Sequence, residues 1–293
     1  MNKPRVYSDY KNVDGLRKKF NDFVDIVFPG ANFEKWYRKG FWLDNYIPFS
    51  IVMDGKIVSN VSITRMNVLI DNRKVSAIQF GTVGTIPEYR GRGFSRYLME
   101  YVLDKFRNSA DFLFLFANEN VLDFYPKFGF DRYSEMTFRS DSDIPKANFS
   151  ARKLDIELPE DFAIIKRLVK DRFVLSRLFG ALDYGFITWW HVLNIFSDML
   201  YYIKEDDAIL IARERNQRLH IWDAIYSQPI NINFLISKII TDDNLKSIRY
   251  YFSPDQLGFQ YDSVDEDASS PLFILGKFPL KGRNYKFPST AQT

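Results

Sequence analysis

The run VGTIPEYRGRGFS, residues 83–95, decides how this chain is read. A β-rich stretch from Ala77 to Thr85 runs into it. A helix leaves it, with Leu98, Met99, Val102, Leu103 and Phe106 on one face. Between the two lie Arg90, Gly91, Arg92, Gly93 and, in the first helical turn, Arg96. The first N–H groups of a helix have no acceptor within the helix, and the helix dipole places partial positive charge there. Glycine lets the backbone turn freely, and guanidinium groups match phosphate oxygens. Strand, loop and helix together read as a pyrophosphate cradle at a helix N-terminus. The other reading of the same residues is a basic turn in which Ser95 caps the helix.

Two common phosphate motifs do not fit. G-x-G-x-x-G fails because its last position is Arg96, and the G-K-[ST] of a P-loop is missing. Around the loop, two hairpins precede the strand. One turns at Asp54-Gly55 and the other at Asp71-Asn72. After the helix, DFLFLFA (111–117) reads as a buried strand, Asn118–Tyr125 as a short helix stopped by Pro126, and Ser134–Arg139 as a last strand. The polar, proline-punctuated segment from Ser140 to Asp161 marks a domain boundary. Beyond it come a helix over Asp161–Phe173 and strands over Asp198–Lys204, Ala208–Arg213 and Leu219–Tyr226. A helix over Ile230–Thr241 and strands over Ser247–Phe252 and Leu272–Leu275 complete the order. This echoes the first half, with Leu257-Gly258-Phe259 standing where Phe128-Gly129-Phe130 stands, so a degenerate internal repeat is expected. The polar tail Lys281–Thr293 reads as loose. The expected organisation is an α/β (α+β) chain with a domain over 1–143, a linker over 144–160 and a second domain over 161–293.

Bulk composition excludes several chemistries. A chain of 293 residues, 46% hydrophobic, suits two globular domains. With no cysteine there is no disulfide, thiolate nucleophile or zinc–thiolate site. The two histidines, His191 and His220, are not in metal-ligand spacing, so no metal is expected. A net charge of +3 argues for neither nucleic acid nor an anionic membrane. No apolar run approaches membrane-spanning length and the N-terminus carries no apolar signal segment, so a cytoplasmic protein is expected.

Residues 83–95 resemble the acetyl-CoA signature of the GNAT N-acetyltransferase superfamily, in which V-x-V-x-P ends a strand and R/Q-x-x-G-x-G/A enters a helix. Arg90 and Gly93 match; Thr85 and Ser95 depart from the pattern. Asn118, Tyr125, Lys127, Gly129 and Phe130 are similar to a second motif of that family, N-x(6)-Y-x-K-x-G-F. Together the motifs cover roughly residues 48–139. With the paired hairpins, the chain more narrowly resembles the Eis-like branch of tandem GNAT enzymes, without the sterol-carrier-like third domain of that branch. The resemblance implies a mixed, mostly antiparallel sheet with flanking helices, followed by a second GNAT-like domain. That second domain lacks the R-x-x-G-x-G loop.

The resemblance also implies chemistry. Acetyl-CoA is the co-substrate, and the acceptor is the primary amine of a small molecule or peptide. Backbone groups of Val83 and Thr85 would hold the pantetheine arm. Arg90, Gly91, Arg92, Gly93, Phe94, Ser95 and Arg96 would hold the pyrophosphate, and Asn118 would hold pantetheine or shape the strand end. Tyr125 would protonate the leaving thiolate. No carboxylate on the strand offers a general base, and the C-terminal carboxylate that serves Eis-like relatives is not carried over to Thr293. The acidic run Asp262, Asp265, Glu266 and Asp267 is either a lure for a cationic acceptor or a solvated loop. Trp189 and Trp190 either pack in a core or line a cleft. Relatives of the branch often assemble, leaving a homo-oligomer open. The rival functions are an acyl-CoA sensor or scaffold, and an aminoacyl transferase of tandem-GNAT type.

Overall fold

The computed structural model describes residues 3–141, 146–147, 151–258 and 260–293. The expected linker at 144–160 lies partly outside the described residues, as does Phe259 of the proposed repeat. Strand β1 (Val6–Ser8) precedes helices α1 (Asp14–Val27) and α2 (Phe33–Arg38). Strands β2 (Tyr46–Met53), β3 (Lys56–Ile70) and β4 (Arg73–Thr85) lead to helix α3 (Phe94–Phe106), then β5 (Phe112–Phe116) and β6 (Asp131–Asp141). The second half holds β7 (Arg152–Lys153), α4 (Pro159–Asp171), β8 (Phe179–Leu182), α5 (Gly185–Asn194), β9 (Leu200–Ile203) and β10 (Ala208–Arg215). It continues with β11 (Arg218–Tyr226), α6 (Ile232–Ser237), β12 (Ser247–Tyr250) and β13 (Ser263–Leu275).

The hairpins form as their turn residues dictate. Asp54 and Gly55 have φ of 51° and 77°, and Asp71 and Asn72 have φ of 50° and 65°. Two successive left-handed residues match the right-handed twist of the strands they join. Helix α1 buries Phe20, Phe23 and Val24, spaced to share one face.

All the strands join one 13-stranded sheet, in the order β1-β2-β3-β4-β5-β13-β6-β12-β11-β10-β9-β7, with β8 paired to β3. Two pairs are parallel, β4 with β5 and β11 with β12; the rest are antiparallel. The middle of the sheet is an exchange. β6, from the first half, pairs with β12 of the second. β13, from the second half, pairs with β5 of the first. β6 and β13 pair with each other. The last strand of each half therefore completes the sheet of the other.

Several local expectations are corrected. Asn118–Tyr125 is two short 3-10 turns, Glu119–Val121 and Tyr125–Phe128, and Pro126 sits inside the second rather than stopping a helix. The helix expected over Ile230–Thr241 is shorter, Ile232–Ser237. The acidic run is not a solvated loop. It lies at and just before the start of β13, where Asp265 pairs with Arg249 at 2.7 Å, Asp267 pairs with Lys286 at 3.0 Å, and Glu266 accepts from Ser134 Oγ at 2.6 Å.

The tail is the largest correction: Tyr285, Lys286, Phe287, Thr290 and Ala291 are all buried. The Phe287 ring sits 4.8 Å from that of Phe179 and 5.3 Å from that of Phe114. Lys286 Nζ donates to Glu135 Oε2 at 2.7 Å, and Glu135 Oε1 accepts from Phe287 N at 2.7 Å. The polar residues that make the segment look loose in sequence have buried partners far away in the chain.

Candidate active site

Strands β4 and β5 pair from Ala77/Phe112 to Phe80/Leu115 and then part. β4 runs on to Thr85, so beyond Phe80 its β5-facing edge has no strand partner among the described residues. A bulge sits at this point. Ser62 faces Gly81 and Asn60 faces Gly84, so Thr82 and Val83 together oppose Val61. Thr82 has φ of 49°, the left-handed conformation that the bulge requires.

Buried polar side chains hold the bulge from behind. Asn60 Nδ2 donates to the Thr82 carbonyl at 2.8 Å, Ser50 Oγ donates to Asn60 Oδ1 at 2.7 Å, and Tyr10 joins through Ser50 at 2.6 Å. The Thr82 hydroxyl bonds the Tyr46 hydroxyl at 2.7 Å. Asn60 and Ser50 escaped the sequence reading. The signal was there in SNVSIT (59–64), a strand carrying four small polar residues in a buried setting.

The loop then turns into α3. Gly91 and Gly93 have φ of 74° and 81°, and Gly93 is the helix N-cap. A Cβ at either glycine would meet nothing within 4 Å, so conformation rather than crowding asks for glycine here. No side chain caps the helix. Ser95 bonds Thr85 Oγ1 at 2.6 Å instead, which removes the capping reading and ties the helix start to the strand end. Ser59 Oγ completes that link, 2.8 Å from Thr85 Oγ1. Arg90 Nε donates to the Thr85 carbonyl at 3.1 Å. Arg92 lies 4.7 Å over the Tyr89 ring, and Arg96 pairs with Glu100 at 3.0 Å, both at the exposed surface. Phe94 is half-buried against the core.

Two cavities meet where the strands part. One, of about 480 Å³, is lined by Val83, Gly84, Thr85, Arg90, Ser95, Asn118 and Tyr125. The other, of about 430 Å³, lies among the rings of Phe33, Trp36, Tyr46, Phe80 and Trp190. Val83, Asn118 and Tyr125 line both. The Tyr125 hydroxyl has no hydrogen-bond partner among the described residues, and burial pushes its phenol well above the ordinary tyrosine range. It is therefore a protonated donor at neutral pH. Asn118 makes no capping bond with its side chain.

The structure thus brings Val83, Thr85, Arg90, Ser95, Asn118 and Tyr125 onto one connected cleft. Arg92 and Arg96 face solvent beside it. Trp189 packs, stacked on Phe41 at 4.4 Å, while Trp190 lines the aromatic cavity. The second half also contributes His191, Gln292 and Thr293 to this cavity. His191 Nε2 donates to the Gln292 carbonyl at 2.7 Å, and burial lowers its pKa to about 4, so its ring is neutral. Gln79 holds the tail, accepting from Thr293 N at 2.6 Å and donating to the Ala291 carbonyl at 3.0 Å.

Residues 16–133 match the family model described as an acetyltransferase (GNAT) domain. The chain carries a GNAT acetyltransferase domain. The match supports an acyltransferase. Among curated proteins, none matches the sequence significantly. Solved structures extend the likeness in fold beyond the GNAT domain. A conserved protein of unknown function from Enterococcus faecalis V583 aligns with a TM-score of 0.59 at 17% identity, over 92% of this chain and 72% of its own. Eis1 from Mycobacterium abscessus aligns at 0.55 and 15% identity, over 92% and 73%. A putative acetyltransferase from Pyrococcus horikoshii aligns at 0.50 and 13%, over 100% and 97%. The GNAT domain spans the whole parting of β4 and β5, the loop and Tyr125.

Proposed function

We propose that the chain is an acetyl-CoA-dependent N-acetyltransferase that moves the acetyl group to a primary amine by direct attack. The observation that carries this reading is the unpartnered Tyr125 hydroxyl on the wall shared by the two cavities. The cavity that reaches Arg90 and Ser95 takes the cofactor arm, and the loop Arg90–Arg96 takes the pyrophosphate. The free edge of β4 at Val83 offers backbone groups to the pantetheine arm and the thioester carbonyl. The amine nitrogen attacks the carbonyl carbon and the C–S bond breaks. The leaving thiolate takes the Tyr125 proton, which returns from solvent, while the new amide sheds its extra proton to water. Among the described residues lining either cavity there is no aspartate or glutamate side chain, so no general base is assigned and the amine enters neutral. Holding amine and thioester together supplies the rest of the rate. We read the second half, 161–293, as a GNAT-like partner that lacks the loop and lends its last strand and tail to the first.

Isothermal titration with acetyl-CoA tests the assignment, beside an Arg92→Glu/Gly93→Asp variant. Micromolar binding by the native chain, lost in the variant, is expected. A folded native chain that binds no acetyl-CoA sinks the reading. Binding without transfer to any amine turns it toward an acyl-CoA sensor.

A further inference from the structure

Resting on the acetyl-transfer reading, we propose that the acceptor is a monoamine on an apolar, ring-bearing body, seated in the 430 Å³ cavity. This cavity lies across Val83 and Tyr125 from the arginine–glycine loop, on the side away from the cofactor arm. Rings, Trp36, Tyr46 and Trp190 among them, make much of its wall, and Thr82, Ser270, His191, Gln292 and Thr293 make a polar share. Among the described residues that line it there is no aspartate, glutamate, lysine or arginine. Its lip is apolar: Val121 and Ile195 line it and are 38% and 46% exposed.

Charge decides the substrate class. A polyamine or aminoglycoside entering here would strip water from several ammonium groups, with a single carboxylate among the described lining residues, the main-chain one of Thr293, to receive them. The acidic run before and within β13 is already bonded to Arg249, Lys286 and Ser134. A ring-bearing monoamine meets the opposite conditions. Its body packs edge or face against the aromatic rings, and its one nitrogen reaches Asn118 and Tyr125, where the two cavities meet. The volume falls in the range of small-molecule sites. A long acyl chain on the donor would offer the same apolar chemistry from the thioester side, so the test must separate amine from acyl chain.

Trp36 and Trp190 line the cavity, so tryptophan fluorescence reads its occupancy directly. Because the chain has no cysteine, release of free CoA thiol can be followed without background. We expect 2-phenylethylamine to quench saturably in the absence of acetyl-CoA, and to show at least tenfold higher kcat/KM than spermidine or an aminoglycoside. Ile195→Asp, a change at the exposed lip, should raise the KM for 2-phenylethylamine several-fold and lower that for spermidine, with acetyl-CoA titration unchanged. A native preference for spermidine overturns the proposal and leaves acetyl transfer standing. Tighter binding of hexanoyl-CoA than acetyl-CoA, with no quench by the amine, also overturns it and gives the cavity to the acyl chain. Saturable amine quench without any acetyl-CoA binding sinks the transfer reading and keeps the apolar seat.

Discussion

The two halves of the molecule build the same parting of strands and use it in opposite ways. In the first half, β4 and β5 run parallel to Phe80 and separate, with a bulge at Thr82-Val83. In the second, β11 and β12 run parallel to Ile221/Tyr250, with a bulge at Trp222, and β11 continues to Tyr226 beyond β12 while still paired with β10. The first parting is a cleft. The second is filled: Arg172 donates to both carboxylate oxygens of Asp223 at 2.9 and 2.6 Å, Thr290 of the tail bonds the same carboxylate, and Ser289 Oγ donates to the Tyr251 carbonyl at 3.1 Å. The connections differ too. An arginine–glycine loop and the long α3 join β4 to β5, whereas the six-residue α6 lies between β11 and β12. Strand geometry alone does not make a site; what stands between the strands does.

The comparison breaks most visibly if the plug of the second parting is loosened. Arg172 and Asp223 are 7% and 0% exposed as side chains, and the guanidinium lies 4.6 Å over the Tyr184 ring. Arg172→Met would leave Asp223 buried without its cation, a loss of about 3–5 kcal/mol by chemical denaturation. Arg172→Met/Asp223→Leu should recover most of it. A single variant as stable as the native chain would mean that the ion pair does not hold the plug.

The next effect lies where the halves meet. His191 sits on α5, bonds the tail at Gln292 and lines the first half's cavity, and its Nδ1 is buried without a partner among the described residues. Burial lowers its pKa from 6.5 to about 4. The unfolded chain therefore takes up this proton at a pH where the folded chain refuses it. Stability should fall as pH drops through 6.5 and level off near 4, by on the order of 3 kcal/mol at about 1.4 kcal/mol per unit. The half-buried His220, lowered to about 4 by burial and by Arg218, Arg249 and Arg215, adds a weaker component of the same sign. In His191→Gln the acid limb of the stability–pH curve should flatten, and an unaltered limb would place the proton uptake elsewhere.

Tyr125 should respond in the reverse manner from Arg172. Its hydroxyl has no protein partner among the described residues, so Tyr125→Phe should leave the denaturation midpoint in place. As the proton donor it should cost about 100-fold in kcat, the lower end of general-acid contributions, with acetyl-CoA affinity unchanged. A variant with native kcat would remove Tyr125 from the chemistry; one that melts early would make it a packing residue.

Much of the first half was legible because its signals are local. Asp54-Gly55 and Asp71-Asn72 announce their turns, and the helical face from Leu98 to Phe106 announces α3. Of the cleft, Val83, Thr85, Arg90, Ser95, Asn118 and Tyr125 were legible because two short motifs carry them. The cavity's far wall was not, because it comes from the second half. Helix α5, GFITWWHVLN, is apolar on nearly all sides, so it shows no face to a periodicity reading, and its Trp190 and His191 could not be placed. The tail's polar residues find Gln79, Glu135 and Asp223, and β13 finds β5 across the chain. Pairings at that separation leave no trace in a local window.

The smallest effect is expected at the acidic run, and it sharpens the contrast between a site and its surroundings. A cation lure needs carboxylates that face the cleft and are free. Asp265 is held by Arg249, Asp267 by Lys286 and Ser269, and Asp262 accepts from Asp141 N at 2.7 Å. Glu266 is bonded to the exposed Ser134 hydroxyl, and Asp262 and Glu266 sit at the surface, where screening weakens long-range steering. Asp262→Asn/Glu266→Gln should therefore change the acceptor KM by less than twofold, at both low and physiological ionic strength. A several-fold rise in KM at low salt that vanishes at high salt would show that the run does guide a cation, and would count against an apolar monoamine as the acceptor.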